Sequence, residues 1–133
     1  MAKNKQDDSA NKWLREQLDN AVDEIMASGV VKDQIAEARP VWSIANKVLI
    51  GQVRVASEPK SFIWVICGDY PTDCLPASAA AEARDVARHF SLKWQMDAAR
   101  QTDAAAMTLL MDKAEELYDI VEEDSLWQEP GDA

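Results

Sequence analysis

Asp69 and Asp73 stand four residues apart in the run Gly68-Asp69-Tyr70-Pro71-Thr72-Asp73-Cys74, which closes the most apolar segment of the chain. Two carboxylates held in a turn would suit a Mg²⁺ ion bound through one or two carboxylates plus waters. A simpler chemistry competes with it. Asp and Thr in Pro-containing turns accept hydrogen bonds from nearby backbone N–H groups, so Asp69, Thr72 or Asp73 would each cap the turn or the helix that follows. With no histidine or third carboxylate beside them in sequence, the structural reading is preferred and no metal is expected. His89 is the only histidine. As a general base it would need Asp69 or Asp73 within hydrogen-bond reach, and the alternative is a partly buried ring bonded to a carbonyl or carboxylate. Cys74, in a loop near a helix N-terminus that would depress its pKa, is the nucleophile of a conceivable Cys-His-Asp set, although no spacing requires it. The sequence lacks a Walker loop, G-x-G-x-x-G, Cys/His zinc spacing, H-E-x-x-H and G-x-S-x-G, and no cofactor is expected.

These residues need a scaffold, and apolar spacing supplies one. After a lead over residues 1–11 that is expected to lack order, Trp13, Leu14, Leu18, Ala21, Val22, Ile25 and Met26 recur at helical spacing until Gly29. Ile35 and Ala38 suggest a further short helix over 30–39, ended by Pro40. The segments 41–45, 48–56 and 61–67 are rich in β-branched and aromatic residues and predict strands. In the middle one Leu49, Val53 and Val55 oppose Gln52 and Arg54, as in a half-buried antiparallel strand, and Gly51 marks a candidate bulge. The third, Phe62 to Cys67, is apolar without alternation, so both of its faces must be covered. From 77 to 124 the alanine-rich chain predicts two helices, with Ser78 as N-cap and a break at Gln101-Thr102-Asp103. The first buries Ala83, Val86, Ala87, Phe90, Trp94 and Ala98. The second is expected to bury Met107, Leu110, Met111, Ala114, Leu117, Tyr118 and Val121. Leu92 and Met96 fall off the first stripe, leaving an apolar patch for a second layer, a partner or a second copy of the chain.

The 133 residues suit one domain, placed over 12–124 with a flexible acidic tail over 125–133. No apolar run approaches the roughly 20 residues of a membrane span, and the first residues are not those of an export signal, so a soluble cytoplasmic protein is expected. Cys67 and Cys74 are read as free thiols, Cys67 buried. Net charge is -10, and its excess is one-sided: residues 1–60 carry nine basic and nine acidic side chains, residues 61–133 five and fifteen. A phosphate backbone would be repelled, so no direct nucleic-acid binding is expected. An acidic face would instead meet a basic protein, imitate a phosphate backbone, or simply solvate the chain. Most of the five tryptophans fit core positions, but Trp127 follows Glu122-Glu123-Asp124 and stands as a candidate interaction anchor.

Arg39-Pro40-Val41-Trp42, the run Phe62 to Cys67 entering Gly68-Asp69-Tyr70-Pro71-Thr72-Asp73, and Ala87-Arg88-His89-Phe90 with Lys93-Trp94-Gln95 resemble the bacterial domain-of-unknown-function 4826 family over roughly residues 13 to 100. Cys74 departs from the aromatic residue expected there in relatives. The resemblance implies a small bacterial intracellular protein and brings no assigned activity. The expectation is therefore an α+β fold: an N-terminal helix, a small antiparallel sheet of two or three strands, and two long C-terminal helices packed on it. Its leading function is protein binding or regulation through the acidic helical face, Trp127, or the Leu92 and Met96 patch. The rivals are a metal-dependent or acid/base enzyme at Asp69, Asp73 and His89, and an acidic antagonist that mimics DNA or neutralises a basic partner.

Overall fold

Apolar residues recurring from Trp13 to Ile25 build α1 (Lys5–Ser28), which Gly29 terminates at φ 79° with its N–H on the Met26 carbonyl at 3.2 Å. Four strands follow: β1 (Ile35–Ile44), β2 (Val48–Val55), β3 (Ile63–Gly68) and β4 (Asp73–Pro76). Two further helices, α2 (Ala83–Ala99) and α3 (Ala104–Glu122), complete an α+β architecture. The computed structural model describes residues 5–31 and 33–127. The chain forms two compact units, residues 1–83 and residues 84–133.

In the first unit the strands form an antiparallel meander in the order β1-β2-β3-β4. Leu49 and Val53 of β2 and Val65 and Cys67 of β3 lie on one face and pack with Leu18, Ala21 and Ile25 of α1, as the alternation in β2 requires. On the opposite face Val48, Ile50, Trp64, Ile66 and Leu75 are also buried, so β3 is covered on both sides, as its unbroken apolar run predicts. Burial pushes the Cys67 thiol from the ordinary value of 9.0 up to about 12, with the nearby Glu24 charge adding to the rise. Cys67 is thus an inert core thiol, its Sγ 3.7 Å from the Gln17 carbonyl.

Several expectations are corrected. Among the described residues the segment 30–39 holds no helix; its second half is the start of β1. A bulge between Ile35 and Glu37 inserts one extra residue, so Ile35 and Ala38 share the α1-facing side although they are three apart. That spacing imitates a helix. Pro40 does not end an element either: β1 is an edge strand among the described residues, where a missing N–H is tolerated. A second bulge follows it, between Pro40 and Trp42, opposite Gly51. A Cβ on Gly51 would lie 2.7 Å from the Arg39 carbonyl oxygen, so glycine there permits the close approach of β1. The sheet has four strands rather than two or three, because Asp73–Pro76 returns along β3 instead of leading directly into a helix. The helix expected after the lead already includes Lys5; residues 1–4 lie outside the described residues. Once nucleated, a helix extends through polar helix formers at little cost.

The second unit is a helical hairpin. Asp103 is the N-cap of α3, its carboxylate accepting the Ala106 N–H at 3.0 Å, where the sequence predicts the break. Ser78 caps nothing: it lies in a 3₁₀ turn (Ala77–Ala79) ahead of α2. The α2 stripe Val86, Ala87, Phe90, Trp94 and Ala98 is buried, with Phe90 and Trp94 stacked at 5.6 Å. On α3 the buried residues are Ala114, Leu117, Ile120 and Val121, while Met107 and Tyr118 are exposed instead of buried. The C-terminus of α3 is closed by Arg84, whose Nε donates to the Val121 carbonyl at 2.9 Å and whose Nη2 meets Asp124 Oδ1 at 2.6 Å. The chain then turns through Asp124–Trp127. The Trp127 indole N–H donates to the Ile120 carbonyl at 2.9 Å, and its ring centroid lies 6.0 Å from the Arg84 guanidinium carbon. Trp127 is therefore half-buried against its own helix end, not a bare tail residue; of the expected tail, 128–133 lie outside the described residues.

Two stability measurements follow from these contacts. At Gly68 φ is +106° and a Cβ would stand 2.6 Å from the Lys47 carbonyl oxygen, whereas at Gly29 φ is also positive but nothing lies within 4 Å. Gly29→Ala is expected to cost about 1 kcal/mol from backbone strain alone, and Gly68→Ala about 3 kcal/mol from strain plus collision. Urea unfolding checks this, and equal losses at the two positions would refute the steric part. At the α3 terminus, Asp124 is 82% exposed, so its ion pair contributes little and the carbonyl bonds dominate. Arg84→Met is expected to lose about 2 kcal/mol and Trp127→Phe about 1 kcal/mol, with the double variant losing less than the sum because both serve one cap. Strict additivity in thermal melts would show that they do not act together.

Candidate functional site

The turn between β3 and β4 holds the paired acids in different settings. Gly68 reverses the backbone, and the Asp69 N–H then donates to the Lys47 carbonyl at 2.7 Å, tying the exit of β3 to the entry of β2. The Asp69 side chain is exposed, whereas Asp73 is half-buried at the start of β4 and accepts the Cys74 N–H through Oδ1 at 2.8 Å. Between them Tyr70 is buried, with Lys47 Nζ 5.7 Å from its ring centroid. An aromatic residue flanked by turn formers is the signal that marks Tyr70 as the anchor of this turn, and sequence reasoning passed over it. Among the described residues no group of three or more His, Cys, Asp and Glu side chains is placed to hold a metal ion. Cys74 is a half-buried cysteine packed on the edge of the first unit's core.

His89 belongs to the second unit. It lies on the exposed side of α2, edge-on to Phe90 with ring centroids 6.0 Å apart, and not in the partly buried setting expected of it. One turn on from it the same helix exposes Leu92, 51% accessible, and then Met96, 59% accessible. Leu92 lines a shallow groove of about 420 Å³ together with Gln95 of α2 and Glu115, Tyr118 and Asp119 of α3. The exposed side of α3 carries Asp112, Glu115, Asp119 and Glu122. The lysine on that helix is paired with Glu116 at 4.0 Å, and on α2 Arg88 is paired with Asp85 and Lys93 with Asp97. No ion pair engages Glu115 or Asp119 among the described residues. The arrangement therefore sets exposed apolar surface directly beside uncompensated carboxylates.

Of the sequence candidates, the structure places Leu92 in this groove, leaves Met96 one turn along the same helix, and ties Trp127 to the end of α3. Tyr118, Glu115 and Asp119 were missed as groove residues. The acids at i−3, i+1 and i+4 from Tyr118 mark the wet side of a helix, and weighing them against its aromatic ring would have placed it outside.

Two further concavities lie in the first unit. A depression of about 730 Å³ between α1 and the β1 edge is lined by Leu14, Arg15, Leu18, Asp19, Ala38 and Pro40 among others, a mixed lining with no convergent set of donors. On the polar end of the sheet, Arg39 donates twice to Gln52 Oε1, at 2.8 and 3.2 Å, beside Glu37, Arg54 and Phe62. Arg54 Nε is buried without a hydrogen-bond partner there, but the cleft is too narrow to admit a water molecule.

No helix among the described residues is long and apolar enough to cross a membrane. No curated protein and no solved structure matches the sequence. Residues 7–127, nearly the whole chain, match the domain of unknown function DUF4826, and the chain belongs to that family.

Proposed function

We propose that the chain is a non-enzymatic protein-binding or regulatory protein of the bacterial cytoplasm, and that its contact surface is the outward side of α2 and α3. The observation that carries this reading is the exposure of Leu92, Met96 and Tyr118 beside the carboxylates of Glu115 and Asp119. Apolar side chains grouped on a surface gain from being covered, by roughly 25 cal/mol per Å² removed from water. Unpaired charges beside them select which covering is tolerated. A purely solvating acidic face has no use for the apolar group. The acids of the 68–73 turn serve the sheet in this reading: Asp73 bonds its neighbouring backbone, and Asp69 rides on the strand junction.

The reading is tested by co-purification from a lysate of the source organism with the full chain, a Leu92→Ser/Met96→Ser variant and an Asp69→Asn/Asp73→Asn variant. A protein retained by the wild type and the turn variant but lost from the helix variant is the expected result. Retention by the helix variant, or loss only from the turn variant, would overturn it.

A further inference from the structure

We infer that the groove between α2 and α3 receives a basic amphipathic helix of a partner protein, an inference that rests on the protein-binding reading and names its partner class. The groove volume, about 420 Å³, suits one or two inserted side chains rather than a whole small molecule, so its occupant must continue beyond it. Leu92 and Met96 are one turn apart on α2, and Glu115 and Asp119 are one turn apart on α3, so an apolar ridge and an acidic ridge run along the two borders. A strand presents side chains alternately to opposite faces, and only every second residue would meet the groove. A helix laid along it repeats at the same one-turn interval as the ridges. It offers apolar residues to Leu92 and Tyr118 from one stripe and lysine or arginine to Glu115 and Asp119 from its flank.

Charge fixes the sign of that flank. The segment Asp112 to Asp124 carries seven acidic side chains against Lys113, so an acidic or neutral helix would bring carboxylates up to carboxylates or leave these desolvated without a partner. A second copy of this chain presents the same acidic surface and is disfavoured for the same reason. Nucleic acid is repelled outright.

The probe is a synthetic peptide with leucine and lysine patterned at helical spacing. Its controls are the same composition scrambled to abolish the apolar stripe and a version with glutamate in place of every lysine. Titration calorimetry with the full chain at low and raised salt is expected to show binding of the patterned peptide that weakens with salt. The scrambled and acidic peptides should bind at least about tenfold more weakly, about 1.4 kcal/mol. Leu92→Ser and, separately, Glu115→Gln/Asp119→Asn should each lower affinity by about tenfold, the second also flattening the salt dependence. All three residues are solvent-facing, and circular dichroism melts confirm that the variants stay folded. Equal binding of the scrambled peptide, or affinity unchanged in both variants, would overturn the inference, as would a dimer in sedimentation that Leu92→Ser dissolves. If the peptide fails while a lysate partner still depends on Leu92 and Met96, the partner class is wrong and the protein-binding reading stands; if neither depends on them, both fall.

Discussion

The hydrogen bond from the Asp69 N–H to the Lys47 carbonyl, made possible by Gly68 at φ +106°, is the constraint on which the first unit depends. It joins the residue just after β3 to the loop that opens β2, at the point where Gly68 pairs with Val48. With that corner fixed, β3 is held in register along β2, and its apolar residues fall alternately on the α1 face and the opposite face. One residue of slip would exchange Val65 and Cys67 with Trp64 and Ile66, turning every packed side chain to the wrong side. The Asp69-Tyr70-Pro71-Thr72 segment then needs only to reverse the chain, with buried Tyr70 as its anchor, so that β4 can add to the sheet.

The helical unit solves a different problem with comparable economy. Two helices joined by a short break leave α3 with carbonyls that have no partner within the helix. Arg84 and Trp127, from opposite ends of the unit's sequence, converge on the Ile120 and Val121 carbonyls and close that end. Asp103 closes the other. Because both termini are satisfied by the unit's own residues, its outward side is not engaged in holding the hairpin together. The acids at 112, 115, 119 and 122 and the apolar ridge on α2 are surface features whose presence the hairpin does not explain.

Much of this was legible in the residues. The stripes of α1 and α2, the alternation in β2, the two-sided burial of β3 and the break before α3 follow from periodicity and local chemistry. What escaped did so for identifiable reasons. A bulge at the start of β1 set Ile35 and Ala38 three apart on one face, which in sequence is the mark of a helix. The four residues of β4 are too few to show a period, and Pro71 and Pro76 around them read as turn chemistry. Trp127 looked unsupported because its partners, Ile120 and Arg84, are a helix end and a residue 43 positions away. For the candidate site, Leu92 and Met96 were recognisable as strays from the α2 stripe, but the groove needed α3 beside them, and Tyr118 was assigned inward with the apolar set of that helix.

The proposed partner docks on the α2–α3 surface, and the Asp69 and Asp73 turn is proposed to be architecture. Mapping amide chemical-shift changes in the isotope-labelled full chain as a captured partner is added addresses both halves at once. The largest changes are expected at Leu92, Gln95, Met96, Glu115, Tyr118 and Asp119, with Asp69 to Asp73 unmoved. Changes concentrated in the turn, with the α2 and α3 residues silent, would contradict it.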